Sequence, residues 1–123
     1  MTKEDTKNLI QRMYDAFNTR NVAAADGIFA PDFYSHPLKT GVEGVKKSWA
    51  SMLKAFPDAR AVVEELLVDG EKVASRTSIH GIPAMADGTQ PMILEIMRVK
   101  DQRIVELWGL TNMGEVLKRT SPE

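Results

Sequence analysis

Hydrophobic positions near the start of the chain recur at spacings of one, three and four. Leu9, Ile10, Met13, Tyr14 and Phe17 fall on one face of a helix. Thr2 followed by Asp5 has the form of a capping box, so the spacing predicts a helix over about residues 3–18. Asn18-Thr19-Arg20-Asn21 interrupts it, and Val22 to Phe29 reads as a second, short helix with Asn21 as its cap and Pro31 beyond its end. Thr40 and Glu43 form a second capping box ahead of Val42, Val45, Trp49, Met52, Leu53 and Phe56, a third helix closed by Pro57.

From Ala61 the period changes. Ala61–Val68, Val73–Ile82, Met92–Lys100 and Arg103–Thr111 are rich in β-branched or apolar residues and have strand length. Asp69-Gly70 reads as a tight turn, Pro83 to Pro91 as a longer hairpin loop, and Lys100-Asp101-Gln102 as another short turn. Met113 to Arg119 is expected to add a helical turn or two. No internal repeat, linker or low-complexity stretch divides the chain, so residues 1–123 read as a single domain. Three helices followed by a four-stranded antiparallel meander make a segregated α+β fold. The helices must cover the sheet's apolar face. A sheet curled around a long helix and left unfilled at one end encloses a cone-shaped cavity, a common kind of small-molecule site.

Composition narrows the chemistry. The 123 residues are 43% hydrophobic, and 16 basic side chains stand against 17 acidic ones. Such a chain buries roughly two thirds of its unfolded surface, enough for one core but not for a two-domain cofactor enzyme. Balanced charge without a basic run argues against nucleic acid as a partner. With no cysteine, disulfides, thiol catalysis, iron–sulfur clusters and thiolate zinc sites are excluded. The polar opening residues and the lack of any long apolar run argue against targeting and membrane segments, so a cytoplasmic protein is expected.

Several runs match a known family. Met13-Tyr14-Asp15-Ala16-Phe17-Asn18, Ile28-Phe29-Ala30-Pro31-Asp32-Phe33-Tyr34-Ser35-His36, Gly41-Val42-Glu43-Gly44 and Phe56-Pro57-Asp58 resemble the N-terminal half of the SnoaL-like polyketide cyclases. Val68-Asp69-Gly70-Glu71-Lys72-Val73-Ala74 before Arg76, and Met97-Arg98-Val99 before Arg103-Ile104-Val105-Glu106-Leu107-Trp108, resemble that family's last strands. Together they span about residues 6–118. The resemblance implies the nuclear-transport-factor-2-like cone, a homodimer formed through the outer sheet face, and closure of a ring of an aromatic polyketide ester by an aldol step without metal or cofactor. Related cones host isomerases, epoxide hydrolases, dehydratases and binding modules as well.

An aldol cyclisation needs a group that takes a proton from carbon, donors that hold the enolate, and an apolar pocket. In the cyclases a carboxylate four residues after a tryptophan matches the acid/base. Here that pattern reads Trp108-Gly109-Leu110-Thr111-Asn112, and an amide cannot serve as a general base. The family's frequent histidine before the tryptophan is Leu107. Glu95, in the apolar run Met92-Ile93-Leu94-Glu95-Ile96-Met97, is either an acid pointing into the cavity or an edge residue facing water; the family often carries an acid there. Arg76 alternates with Ser78 and His80 on one strand face, expected inward and paired with Glu95 or a substrate oxygen, against the alternative of an exposed cross-strand ion pair. His36, at the mouth of the cone, is a candidate proton carrier or a residue that holds its loop. His80 is a weaker candidate near a strand end. Two histidines without paired spacing make no metal site.

The resulting expectation is a cofactor-free cyclase, isomerase or hydrolase acting on a small apolar, aromatic or polycyclic compound. Glu95, His36 and Arg76 are its catalytic candidates. Tyr14, Trp49, Met52, Phe56, His80, Trp108 and Asn112 are its binding candidates. Phe17, Phe33, Leu53 and Met97 are expected to be core. The alternative is a non-catalytic binding module on the same cone, favoured by Asn112. Neither a metal nor a cofactor is expected.

Overall fold

The computed structural model describes residues 1–83 and 85–114. Helix α1 (Lys3–Asn18) starts where the capping box predicts. Asp5 N donates to Thr2 Oγ1 and Thr2 N to Asp5 Oδ2, each at 3.0 Å. A single 3-10 turn (Val22–Ala24) and the short α2 (Ala25–Ile28) follow, then strand β1 (Phe29–Ser35), helix α3 (Val42–Ala55), and strands β2 (Arg60–Asp69), β3 (Lys72–His80), β4 (Met92–Lys100) and β5 (Arg103–Thr111). The five strands form one sheet in the order β1-β5-β4-β3-β2, antiparallel throughout except that β1 runs parallel to β5.

The expected four-stranded meander is therefore a mixed five-stranded sheet. β1 escapes the sequence pattern because Pro31 and Asp32 break its alternation, and its register against β5 shifts between Phe29 and Tyr34. An edge strand tolerates the missing Pro31 donor, and its partner lies some seventy residues away in the chain. Two expected caps also fail. Asn21 forms no side-chain cap, and α3 is capped by Gly41 rather than Thr40. The Thr40 backbone instead bridges to Ser35, with Ser35 N donating to Thr40 O at 2.8 Å. That moves the helix start by one residue and leaves Gly44, without a side chain, where the box would need its acid. Most of the expected helix at Met113–Arg119 lies outside the described residues.

Turn chemistry fixes the registers. Asp101 (φ 51°) and Gln102 (φ 64°) both take left-handed backbone between paired Lys100 and Arg103, the I′ pattern that matches strand twist. Gly81 ends β3 at φ 79°, and a Cβ there would lie 2.0 Å from Asp58 O, so only glycine fits. The apolar stripe of α1 (Leu9, Ile10, Met13, Phe17) packs with inward Val73, Met97, Val99, Ile104 and Leu107 of the sheet into the core.

One side chain ties the end of α1 to the edge of the sheet. Asn18 Nδ2 donates to Ala61 O at 2.8 Å, and Ala61 N donates to Asn18 Oδ1 at 2.7 Å. β2 has a neighbouring strand on one side only, so this amide stands in for the missing one. Asn18→Ala leaves both backbone groups without that partner and is expected to lower stability by about 1–3 kcal/mol. Urea unfolding with an unchanged m-value is the check; a midpoint equal to wild type would contradict it.

Candidate functional site

Alternation divides each central strand into an inward and an outward row. On the inward side Ser75 of β3 pairs with Glu95 of β4, which pairs with Gly109 of β5. The helices do not fill the cone above this row, and a cavity of about 210 Å³ remains. Tyr14 and Phe17 of α1, Trp49 and Met52 of α3, and Ile79, Ile93 and Glu95 of the sheet line it. The Trp49 ring lies 6.2 Å from that of Phe17 and 6.0 Å from that of Phe29, so α3 closes the cavity with an aromatic wall. Pro37, Leu38 and Leu110 form the rim; both leucines are exposed.

A hydrogen-bonded chain crosses the cavity. The Tyr14 hydroxyl donates to Glu95 Oε1 at 2.5 Å and lies 2.8 Å from Ser75 Oγ. A phenol has one proton to give, so with that proton directed at Glu95 the serine hydroxyl donates to Tyr14. Glu95 Oε2 has no partner among the described residues. Thr77, two residues beyond Ser75 on the inward row, is wholly buried. Its hydroxyl, though near enough to favour the phenolate slightly, makes no hydrogen bond of proper geometry.

The electrostatics follow from enclosure. Glu95 is half-buried as a residue, yet protein surrounds its carboxyl group, and this desolvation raises its pKa while the Tyr14 hydrogen bond opposes the shift. The Tyr14 pKa is raised too, first by burial and then by the adjacent carboxylate charge, so the phenol stays protonated. The pair holds a proton carrier above the ordinary carboxyl range, as acid/base work near neutral pH requires.

Glu95, Tyr14, Trp49 and Met52 thus meet at one cavity. The other candidates lie elsewhere. Arg76 does not face Glu95. It occupies the outward row, where its Nε donates to Glu65 Oε1 at 2.7 Å as an exposed ion pair across the β2–β3 register shift. The apolar ends of the row Val73-Ser75-Thr77-Ile79 fix that face inward and turn Arg76 out. Trp108 is also outward, because its neighbour Leu107 pairs with Met97 in the core. His36 stacks on Trp108 at 4.8 Å and 7° and bonds Glu106 Oε2 at 2.7 Å through Nε2. This outer contact depresses the Glu106 pKa, with the His36 hydrogen bond its largest cause. Phe56 packs against the core past the end of α3 without lining the cavity, and His80 is exposed at the end of β3. Asn112 is used by the backbone: Met92 N donates to its Oδ1 at 2.9 Å and its Nδ2 to Gln90 O at 3.0 Å. Among the described residues no cluster of ligating side chains could hold a metal, and no helix is long and apolar enough to cross a membrane.

Sequence reasoning misses Ser75, Thr77 and Gly109. The first two were legible from the phase of their strand, whose apolar ends mark the inward row. Gly109 carries no such mark. A Cβ there would lie 3.4 Å from Glu95 Cγ and 3.3 Å from Leu94 O, so its lack of a side chain keeps the space beside the carboxyl open.

Helices packed on a curled five-stranded sheet, with a cavity left between them, make the nuclear-transport-factor-2-like fold. The profile of the SnoaL-like polyketide cyclases matches residues 8–119, and the chain belongs to that family. Among solved structures, a candidate polyketide cyclase from Bacillus cereus ATCC 10987 shares 25% identity with a TM-score of 0.79, covering 98% of this chain and 84% of that one. IdmH of Streptomyces antibioticus, a candidate polyketide cyclase, shares 24% identity over 93% of this chain and 96% of its own, with a TM-score of 0.75. TsrD from Streptomyces laurentii shares 16% over 98% of each chain at 0.78. At these identities the last two show the fold alone. No curated protein matches the sequence.

The raised Glu95 pKa carries a stability signature. Between the carboxyl's unfolded pKa and its higher folded value the native state binds more protons, so the contribution is full below the unfolded pKa and is lost as pH rises through the folded one. Wild type is therefore expected to lose stability relative to Glu95→Gln as pH rises from about 4 to 8, a range that spans the ordinary Glu value of about 4.3. Paired urea titrations at the two ends check this. A pH-independent difference would mean that the carboxyl is not desolvated.

Proposed function

We propose that the protein is a cofactor-free acid/base catalyst, a cyclase or isomerase, acting on a small apolar carbonyl compound held in the cone. The observation that carries the reading is the 2.5 Å contact between the Tyr14 hydroxyl and a Glu95 carboxyl enclosed by apolar walls. In this reading the Glu95 carboxylate takes a proton from the carbon next to a substrate carbonyl. Tyr14 and Ser75 hold the carboxyl in place and redistribute hydrogen bonds as its charge disappears. The enolate either takes a proton back at another carbon, an isomerisation, or attacks a second carbonyl of the same molecule. The attack forms a carbon–carbon bond and an alkoxide, and the alkoxide recovers the proton from Glu95, an aldol closure. Arg76, His36 and Trp108 have no part in it.

Proton exchange tests the step without the natural substrate. Bicyclic ketones incubated with the protein in deuterated buffer are expected to exchange the hydrogens beside the carbonyl, read by NMR. Glu95→Gln should slow exchange by at least about 100-fold, Tyr14→Phe by less, and Arg76→Ala not at all. Exchange that survives in Glu95→Gln would overturn the assignment. A second reading, a binding module without catalysis, is favoured by Asn112, whose amide occupies the family's carboxylate position and is tied to the backbone on both sides. Ligand binding with no exchange in any variant would select it.

We further propose that the outer sheet face pairs with a second copy. Leu94, Ile96 and Leu110 are exposed together on that face, flanked by the Arg76–Glu65 and Arg98–Glu106 pairs. A row that carries both charge signs can meet its own two-fold copy. Light scattering at micromolar concentration should give a dimer, and Ile96→Lys a monomer that still melts cooperatively. A monomeric wild type would contradict the proposal.

A further inference from the structure

We infer that the cavity selects a ligand about the size of two fused rings, with its oxygen at one end, and rejects carboxylates and phosphates of the same shape. The inference rests on this cavity being the site of the proposed function, and deepens it by naming the substrate class.

Charge comes first. Among the described residues that line the cavity, Tyr14 and Glu95 are the only ionisable side chains, and no lysine, arginine or histidine reaches it. An anion entering would lose its hydration beside Glu95 with no cation to receive it. The basic residues of the central strands β3 and β4 nearest this row in register are on the outer face. Arg76 is paired with Glu65, Arg98 with Glu106, and Lys72 lies over the outer face of Trp108 at 5.1 Å from its ring centre.

Polarity along the walls points the same way. The Ser35 hydroxyl accepts from Leu38 N, and the Thr111 hydroxyl donates to Met92 O while accepting from Met113 N. These two wall hydroxyls serve the protein's own backbone. Polar contact is left to a ligand at Glu95 and Tyr14 and at the Ser48 hydroxyl of α3, which makes no hydrogen bond among the described residues, while Phe17 and Trp49 supply an aromatic wall. A hydroxyl near Glu95 donates to its carboxylate, a carbonyl there accepts once that carboxyl is protonated, and hydrocarbon fills the rest of the cavity; a molecule with polar groups spread along its length leaves them unpaired.

Size follows from volume and from Gly109. An apolar cavity of about 150 Å³ holds a benzene ring, and drug-sized pockets begin near 300 Å³. The cavity, at about 210 Å³, lies between these limits and suits a second ring but not a fourth. A longer skeleton would have to project past Leu38 and Leu110 into water. Gly109 sets the depth beside the carboxyl, because any side chain there would enter the space next to Glu95.

Calorimetric titration of the full chain at pH 8 with naphthol, tetralone, naphthoate and a four-ring aromatic ketone tests selection without requiring turnover. Naphthol and tetralone should bind, and naphthoate should bind at least about 100-fold more weakly, as expected for unpaired like charges. Glu95→Gln removes the opposing charge and should recover part of the naphthoate affinity while keeping that for tetralone within about tenfold. Gly109→Val, provided its melt remains cooperative, should weaken tetralone at least tenfold; if it does not fold, the naphthoate gain in Glu95→Gln decides alone. Naphthoate binding as tightly as naphthol, the four-ring ketone binding as well as tetralone, or no binding by any two-ring compound would each overturn the inference. Binding of tetralone without proton exchange would instead sink the catalytic reading and leave this one standing.

Discussion

The hydrogen bond from Tyr14 to Glu95 joins the two halves of the molecule. It runs from the middle of α1 to the centre of β4, and the cone exists because these elements are held apart by side chains that do not fill the space between them. Had position 95 been leucine, the inward row of β4 would be apolar from Ile93 to Val99, and the pocket would be one more piece of core. A carboxyl there keeps a polar atom in an apolar enclosure, and one phenolic and one serine hydroxyl accompany it. Burying a carboxylate with a single hydrogen-bond donor is unfavourable. The fold tolerates it because the acid can take a proton and Tyr14 stays protonated beside it.

The second constraint is the strand period. Side chains one residue apart go to opposite faces, so the sheet separates two kinds of chemistry. Ser75, Glu95 and Gly109 share the inner face, while Arg76, Ile96 and Trp108 pair or stack on the outer one. The polar network outside, with Glu106 bridging His36 and Arg98, is built of charges near water. Exposed pairs of that kind are worth little in stability. Their position beside exposed Leu94, Ile96 and Leu110 on the outer face keeps them apart from the cavity.

Much of this was legible in the chain. The stripe Leu9, Ile10, Met13, Tyr14 and Phe17 specified α1 and placed Tyr14 on its buried face, and the capping pair Thr2 and Asp5 fixed its start. Glu95 in an apolar strand was recognisable as the candidate acid, with its facing left open. What failed did so for long-range or phase reasons. β1 was hidden because its partner is distant and Pro31 breaks its rhythm. Arg76 was expected inward with an exposed cross-strand ion pair as the alternative, and the alternative holds: a strand of small polar residues has weak contrast, and only the buried Val73 and Ile79 at its ends settle the phase. Trp108 was expected in the pocket as a large side chain on an inward face by periodicity, but buried Leu107 next to it sets the opposite phase. His36 was read as a mouth residue, whereas the backbone bond of its N to Leu107 O sends the ring to the outer side with Trp108.

The position of the acid bears on the chemistry. In the family pattern the carboxylate stands four residues after the tryptophan, at the end of the last strand; here that place is held by Asn112, whose amide closes the end of the β4–β5 ladder through Met92 N and Gln90 O. The amide is a structural clamp with both its polar ends occupied, and substituting aspartate would remove its donor to Gln90 O. Among the described residues the one acid on the cavity is on β4, midway along the sheet and facing a glycine on β5. In the proposed reaction a carboxyl so placed meets the oxygen-bearing end of the ligand, where it can reach a carbon next to a carbonyl and return the proton to an oxygen formed close by. Acid/base chemistry by one carboxyl at two nearby atoms of a small molecule is what this geometry permits. Transfer between distant ends of a long substrate would need a second proton carrier, and the described lining of the cavity holds none besides the phenol that already serves Glu95.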